Sequence, residues 1–192
     1  MSVQKVVPVQ VTRHSFTVAE YERMGQARIF SPEQRVELVC GEIIQMSPIG
    51  ERHAASVNVL DEVVRERLGR SVTVSVQNPV QLDDFSEPQP DILILKRRAD
   101  FYRHAHPRPE DVLLVTEVSD STLEYDRKVK MPLYASAGIP EAWLVNLAEE
   151  RIEAYSDPVG GEYQTVRSYA RGEELQSHTL AALRVSVAEV LG

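Results

Sequence analysis

Pro90-Asp91-Ile92-Leu93-Ile94-Leu95, answered by Val112-Leu113-Leu114-Val115-Thr116-Glu117-Val118-Ser119, decides how this chain folds. Both are apolar runs of strand length without strict polar alternation. That is the pattern of strands covered on both faces, although a buried helical piece reads similarly. Asp91 opens the first run and Glu117 stands near the close of the second. If the two pair antiparallel, the start of one lies beside the end of the other, and both carboxylates meet at one rim of the sheet. Two acids held close repel each other, an arrangement suited to holding a cation or sharing a proton. The same residues also suit a turn cap after Pro90 and a partner for a basic side chain, and the local sequence leaves both readings open.

The flanking elements build around this pair. Upstream, Val36–Val39 and Glu42–Met46 read as a hairpin turned by Cys40-Gly41. Period two places Glu42, Ile44 and Met46 on one face, so Glu42 shares a side with two hydrophobes. Glu37 is less clear, since Val39 shares its face. A helix from about Ile49 to Leu68, ended by Gly69, carries Val57, Leu60, Val64 and Leu68 at helical spacing. His53 lies on the same stripe, one turn from its start, where a histidine is either a satisfied structural residue or a chemical one. Arg65, Arg67 and Arg70 lie at the far end, where the helix dipole favours cations.

Downstream of the second run, Asp120, Ser121 and Thr122 offer caps for a helix from about Leu123 to Ala137, stopped by Gly138 and Pro140. Asp126, Lys130 and Tyr134 share a stripe with Leu123, Leu133 and Ala137, while Lys128 lies about 200° away from Lys130 and faces solvent. Lys130 therefore leans toward Glu117. The bland alternative is an Asp126–Lys130 surface pair.

Elsewhere, Thr17 and Glu20 form a capping box for a short helix to about Met24, and Ser31-Pro32-Glu33 reads as a turn. Val72–Val76 and Ala142–Val145 read as strands, Pro79–Leu82 as a short extended piece, Arg151–Ser156 with Tyr163–Tyr169 as a closing hairpin, and Ser186–Leu191 as a last helix. The segment from Lys96 to Arg108 sets five cations and two aromatics against one acid. Its composition suits a phosphate backbone, yet it leaves the hairpin at the end opposite Asp91 and Glu117.

The chain of 192 residues is 43% hydrophobic and 26% charged, ordinary for a globular protein. Residues 1–15 read as an N-terminal arm and 16–192 as a single domain. The lone Cys40 excludes an internal disulfide, no apolar run nears the roughly 20 residues that span a bilayer, and the N-terminus lacks a signal-peptide core. The expectation is a cytoplasmic protein without membrane contact. A net charge of −8 argues against binding nucleic acid by bulk electrostatics and leaves room for a local basic patch beside an acidic metal site.

The ordered set Gly41-Glu42, His53, Pro90-Asp91, Glu117-Val118, Asp126…Lys130…Tyr134 and Gly138…Glu141-Ala142-Trp143 resembles the bacterial Uma-two family of restriction-endonuclease-like proteins, within the PD-(D/E)XK nucleases. The resemblance runs from about Phe16 to Leu191. It implies an α/β (α+β) restriction-endonuclease-like fold: a central mixed β-sheet flanked by helices, with extra N- and C-terminal β-hairpins. It implies an endonuclease that hydrolyses DNA phosphodiesters with Mg²⁺ or Mn²⁺ and works as a homodimer. Asp91, Glu117 and Glu42 would hold the metal, Lys130 would act on the attacking water, and His53 would orient or assist. The usual nuclease pattern places lysine two residues after the second acid, where this chain has Ser119; the family pattern moves that lysine onto the next helix. The alternative is a nuclease fold that has lost cleavage and serves binding or regulation.

Overall fold

The computed structural model describes residues 12–31 and 33–192. The arm expected over residues 1–15 falls outside these except for its last four positions, and the turn expected at Ser31-Pro32-Glu33 includes Pro32, which also lies outside. In chain order the elements are α1 (Val18–Gln26), β1 (Val36–Val39), β2 (Glu42–Gln45), α2 (Glu51–Leu68), β3 (Val72–Val76), β4 (Ile92–Lys96) and β5 (Val112–Ser119). There follow a helical rod made of α3 (Leu123–Tyr125), a π-turn (Asp126–Lys130) and α4 (Met131–Ser136), then β6 (Glu141–Asn146), β7 (Arg151–Val159), β8 (Glu162–Ala170), β9 (Glu174–Gln176), β10 (Arg184–Ser186) and α5 (Val187–Leu191).

Six strands form the central sheet in the order β3-β4-β5-β6-β7-β8. All neighbours are antiparallel except β5 and β6, which run parallel. That one parallel step requires a crossover, and the rod over residues 123–136 provides it. The result is the mixed sheet between helices that the resemblance implies.

Strand period two divides the core between the two faces. Ile92, Ile94, Leu114 and Val118 pack with α2, α5 and the β9–β10 segment on one face. Leu93, Leu95, Val115 and Leu144 pack with the rod, Val39 and Val80 on the other. Burial on both sides explains why β4 and β5 show no polar alternation.

Three sequence expectations change. The hairpin expected over 151–169 is longer and is not an addition to the sheet: β7 pairs through Arg151–Ser156 with β6, which makes β7 and β8 central-sheet strands. The extra C-terminal hairpin is instead β9–β10, whose three-residue strands are too short to register as a pattern. Pro79–Leu82 joins no ladder. Val80 and Leu82 bond to Pro88 and Ser86 of their own returning loop, because Asp83-Asp84 reverses the chain at once. The N-terminal hairpin β1–β2 forms as expected, with Cys40 and Gly41 both at positive φ.

Glu141, at the start of β6, is 1% exposed. Its carboxylate accepts the Trp143 indole N–H, the Ser177 and Thr179 hydroxyls and the backbone N–H groups of His178 and Thr179. The loop between β9 and β10 is thereby tied to the sheet.

Glu87 differs: among the described residues its buried Oε2 has no hydrogen-bond partner. Burial, helped by Glu22 and opposed by Arg108, pushes its carboxyl up to about 7. Because this lies above the unfolded value of 4.5, the folded state is favoured below that value and loses stability as pH rises through about 7. Glu87→Gln should therefore stabilise the protein by about 2 kcal/mol at about pH 8 and leave it nearly unchanged at about pH 4, read by thermal unfolding at both.

Candidate active site

The site lies at the rim where β4 begins and β5 ends. Ile92 pairs with Thr116, so Asp91 and Glu117 stand side by side one residue further along. Strand parity puts them on one face, since Leu93 and Val115, two residues away on each strand, both belong to the core beneath the rod.

Asp91 continues the ladder with its side chain. Its Oδ2 accepts the Val118 N–H at 2.9 Å and meets His53 Nε2 at 3.0 Å, while Oδ1 accepts the Gln77 side-chain N–H at 3.1 Å. Burial pushes this carboxyl up, but the His53 hydrogen bond and charge, with Gln77 and the Val118 N–H, bring it below its ordinary range. The same bond raises His53 against its own burial. His53 Nδ1 is buried and has no hydrogen-bond partner among the described residues.

Lys130 reaches the same rim from the rod. Its Nζ lies 3.1 Å from Glu37 Oε2 and 3.2 Å from Glu117 Oε1, and its side chain is 5% exposed. Burial opposes the ammonium charge, but Glu117, Glu37 and Asp126 outweigh burial and hold it well above the usual lysine range. Glu117 moves the other way for an anion. Burial pushes it up to about 8, the pull of Lys130 being countered by Asp126, Asp91 and Glu37. One ammonium cannot neutralise this many buried acids, and the excess falls on Glu117. Tyr134 donates its hydroxyl to Glu117 Oε1.

Two features of the rod aim Lys130 inward. Within the π-turn the Met131 N–H reaches back five residues to the Asp126 carbonyl. Pro132 follows at once, and it has no N–H to continue the ordinary ladder. Asp126 and Lys130 are both 4% exposed as a result, while Lys128 lies in solvent paired with Glu124. Ser119, which occupies the usual lysine position, donates to Asp126 Oδ2 at 2.6 Å, as does Thr122. Its hydroxyl thus ties the end of β5 to the first turn of the rod.

Glu42 is not brought to this rim. It pairs with Val39 beside the turn of its hairpin and is exposed. Glu37 pairs with Ile44, is 2% exposed and meets Lys130 instead. Both glutamates lie on the same side of the ribbon, as the period-two reading requires. They differ in position along it: the end away from the turn brings Glu37 to Lys130, while Glu42 stays exposed beside the turn. Gln77 and Tyr125 also reach the site without having been singled out. Gln77 follows β3 at a positive φ, and the Tyr125 hydroxyl is buried without a partner among the described residues; neither carries a sequence signal.

Glu37, His53, Asp91, Glu117, Tyr125 and Lys130 line one cavity of about 280 Å³. Among the described residues no three His, Cys, Asp or Glu side chains form a ready-made metal cluster. Asp91 and Glu117 are nonetheless hard oxygen donors at one rim, and Mg²⁺ is commonly held by one or two carboxylates together with substrate phosphate. The donor set fits such an ion, with Glu37 turned toward Lys130.

The sequence matches the family described as "Uma2: Putative restriction endonuclease" over residues 18–188. No curated protein matches it. Among solved structures, a "putative nuclease belonging to DUF820" from Anabaena variabilis has the same fold, with a TM-score of 0.70 at 15% identity over 92% of this chain and 97% of that one. The described residues contain no helix long and apolar enough to cross a membrane. With nearly the whole domain matched and the nuclease fold present, the chain belongs to the Uma2 family of restriction-endonuclease-like proteins.

Proposed function

We propose that this protein is a Mg²⁺-dependent (or Mn²⁺-dependent) endonuclease that hydrolyses DNA phosphodiesters in the cytoplasm, with residues 16–192 working as one unit. The observation that carries this reading is the convergence of Asp91, Glu117 and Lys130, from two strands and a helix, on a single cavity. Asp91 and Glu117 would hold the metal, which when bound supplies positive charge to the phosphate and a more acidic water.

The protein groups have separable tasks. His53, Gln77 and the Val118 N–H fix the Asp91 carboxylate in one orientation and keep it ionised. Lys130 remains an ammonium, so it serves as a donor that orients water and opposes charge gathering on the phosphate, rather than as the base. Glu37 and Tyr134 hold that ammonium and Glu117 in place. A nucleic acid duplex needs one cut per strand, which favours a homodimer with two such sites.

A non-cleaving, binding role is the second reading, favoured by Asp91, whose two oxygens are already engaged by protein donors. Plasmid nicking separates the two readings. The wild type should nick with Mg²⁺ and lose activity on chelation, and Asp91→Ala should abolish nicking while its circular-dichroism spectrum is retained. No nicking by the wild type with Mg²⁺ or Mn²⁺ favours the binding role.

Lys130→Gln should lower the cleavage rate about 10²- to 10³-fold, and Lys128→Gln should leave it near wild type. Since removing Lys130 strands buried carboxylates, a stability loss of about 3–5 kcal/mol accompanies it, to be measured by denaturant unfolding. A second pair of variants compares the two hairpin acids. Glu37→Gln should depress cleavage, and Glu42→Gln should not. Equal rates for the two would remove Glu37 from the site.

A further inference from the structure

At the opposite end of β3 and β4 a groove of about 510 Å³ opens between the end of α2 and the segment that leaves β4. Arg65, Arg70, Thr73, Arg97 and Phe101 line it, in a chain whose net charge is −8. Arg65 is engaged, its Nε donating to Asp61 at 2.7 Å. Arg70 and Arg97 are exposed and make no ion pair among the described residues. The Arg97 guanidinium lies over the Phe101 ring, 4.0 Å from its centroid, and Phe101 is itself 58% exposed. An exposed aromatic that holds a cation at the mouth of a groove restricts that cation before any ligand arrives. The dipole of α2 accounts for Arg65 and Arg67. It also favours Arg70, in the turn Gly69–Ser71 that continues the helix, but it does not account for Arg97, which arrives just beyond β4.

We propose that this groove is a second binding site for the phosphodiester backbone of duplex DNA, engaged by the same duplex that enters the Asp91–Glu117 cavity. The identity of the ligand rests on the nuclease reading; the anion chemistry does not. Guanidinium groups are donors that take phosphate oxygens, and they position a duplex without reading its sequence. From Asp91 to Lys96 the strand covers roughly 16 Å at about 3.3 Å per residue, equivalent to about five base pairs at about 3.4 Å each. The groove therefore contacts backbone about half a helical turn from the cleaved bond.

The test is the Arg70→Glu/Arg97→Glu double variant, which leaves the cavity residues untouched. A fluorescent duplex of about 20 base pairs is titrated in chelator over a range of salt, where no cleavage occurs. Hydrolysis of bis(4-nitrophenyl) phosphate, too small to span both sites, is measured with Mg²⁺. Duplex affinity should fall at least about tenfold and the salt slope by about two, with small-diester hydrolysis unchanged. Unchanged affinity and slope overturn the proposal, as does a parallel loss of small-diester hydrolysis. Thermal stabilisation of the wild type, but not of the variant, by millimolar inorganic phosphate and not by duplex would assign the groove to a free anion and also overturn it. If the wild type cleaves nothing yet loses duplex affinity in the variant, the groove stands and the nuclease reading falls. If it cleaves and the variant binds normally, the reverse holds.

Discussion

A single ammonium buried between two carboxylates is the constraint on which the site depends. Lys130 is enclosed between Glu37 and Glu117, and taking an ammonium and its acidic partners out of water costs several kcal/mol per ion before their attraction returns anything. Apolar residues of similar volume would fill that space with less electrostatic cost. The arrangement is therefore poorly explained by stability, and burial, together with the neighbouring acids, raises Glu117 at a place that suits a further positive partner. The rest of the fold is arranged so that these groups cannot escape one another: Glu37 is held through its bond to the Gln89 N–H, Glu117 by its strand and Tyr134, and Lys130 by the rod.

Delivering them requires three independent elements to agree in register. The β4–β5 pairing sets Asp91 against Glu117. The β1–β2 register decides that Glu37, and not Glu42, arrives at the rim. The widened turn before Pro132 sets the phase of the rod. The bond from Ser119 to Asp126 links two of these elements directly. A position that carries the reactive lysine in the common nuclease pattern has here become a fastening between strand and helix, and the ammonium comes from the element so fastened.

How much of this could be read in advance follows the range of the interactions. The β4–β5 pairing was legible because two apolar runs bear their acids at opposite ends, and Lys130 was separable from Lys128 because helical phase is local. The choice between Glu37 and Glu42 was not legible, since both share a face and only the docking of the hairpin decides between them. Gln77 contributes through a loop conformation, and β9–β10 through strands of three residues; neither leaves a periodic trace. The joining of β7 to β6 was missed because a hairpin's own alternation says nothing about which sheet it joins.

The placement of the lysine on the rod has a consequence for how the protein comes into being. Asp91 and Glu117 belong to neighbouring strands and can meet as soon as that hairpin closes, while the chain is still emerging from the ribosome. The ammonium arrives later in synthesis and only after the connecting helix has docked across the sheet. A partly made or partly unfolded chain thus carries the two acids without the Lys130 ammonium, and the complete constellation exists only in the finished tertiary structure. Whatever chemistry this rim performs is in effect interlocked with the integrity of the fold.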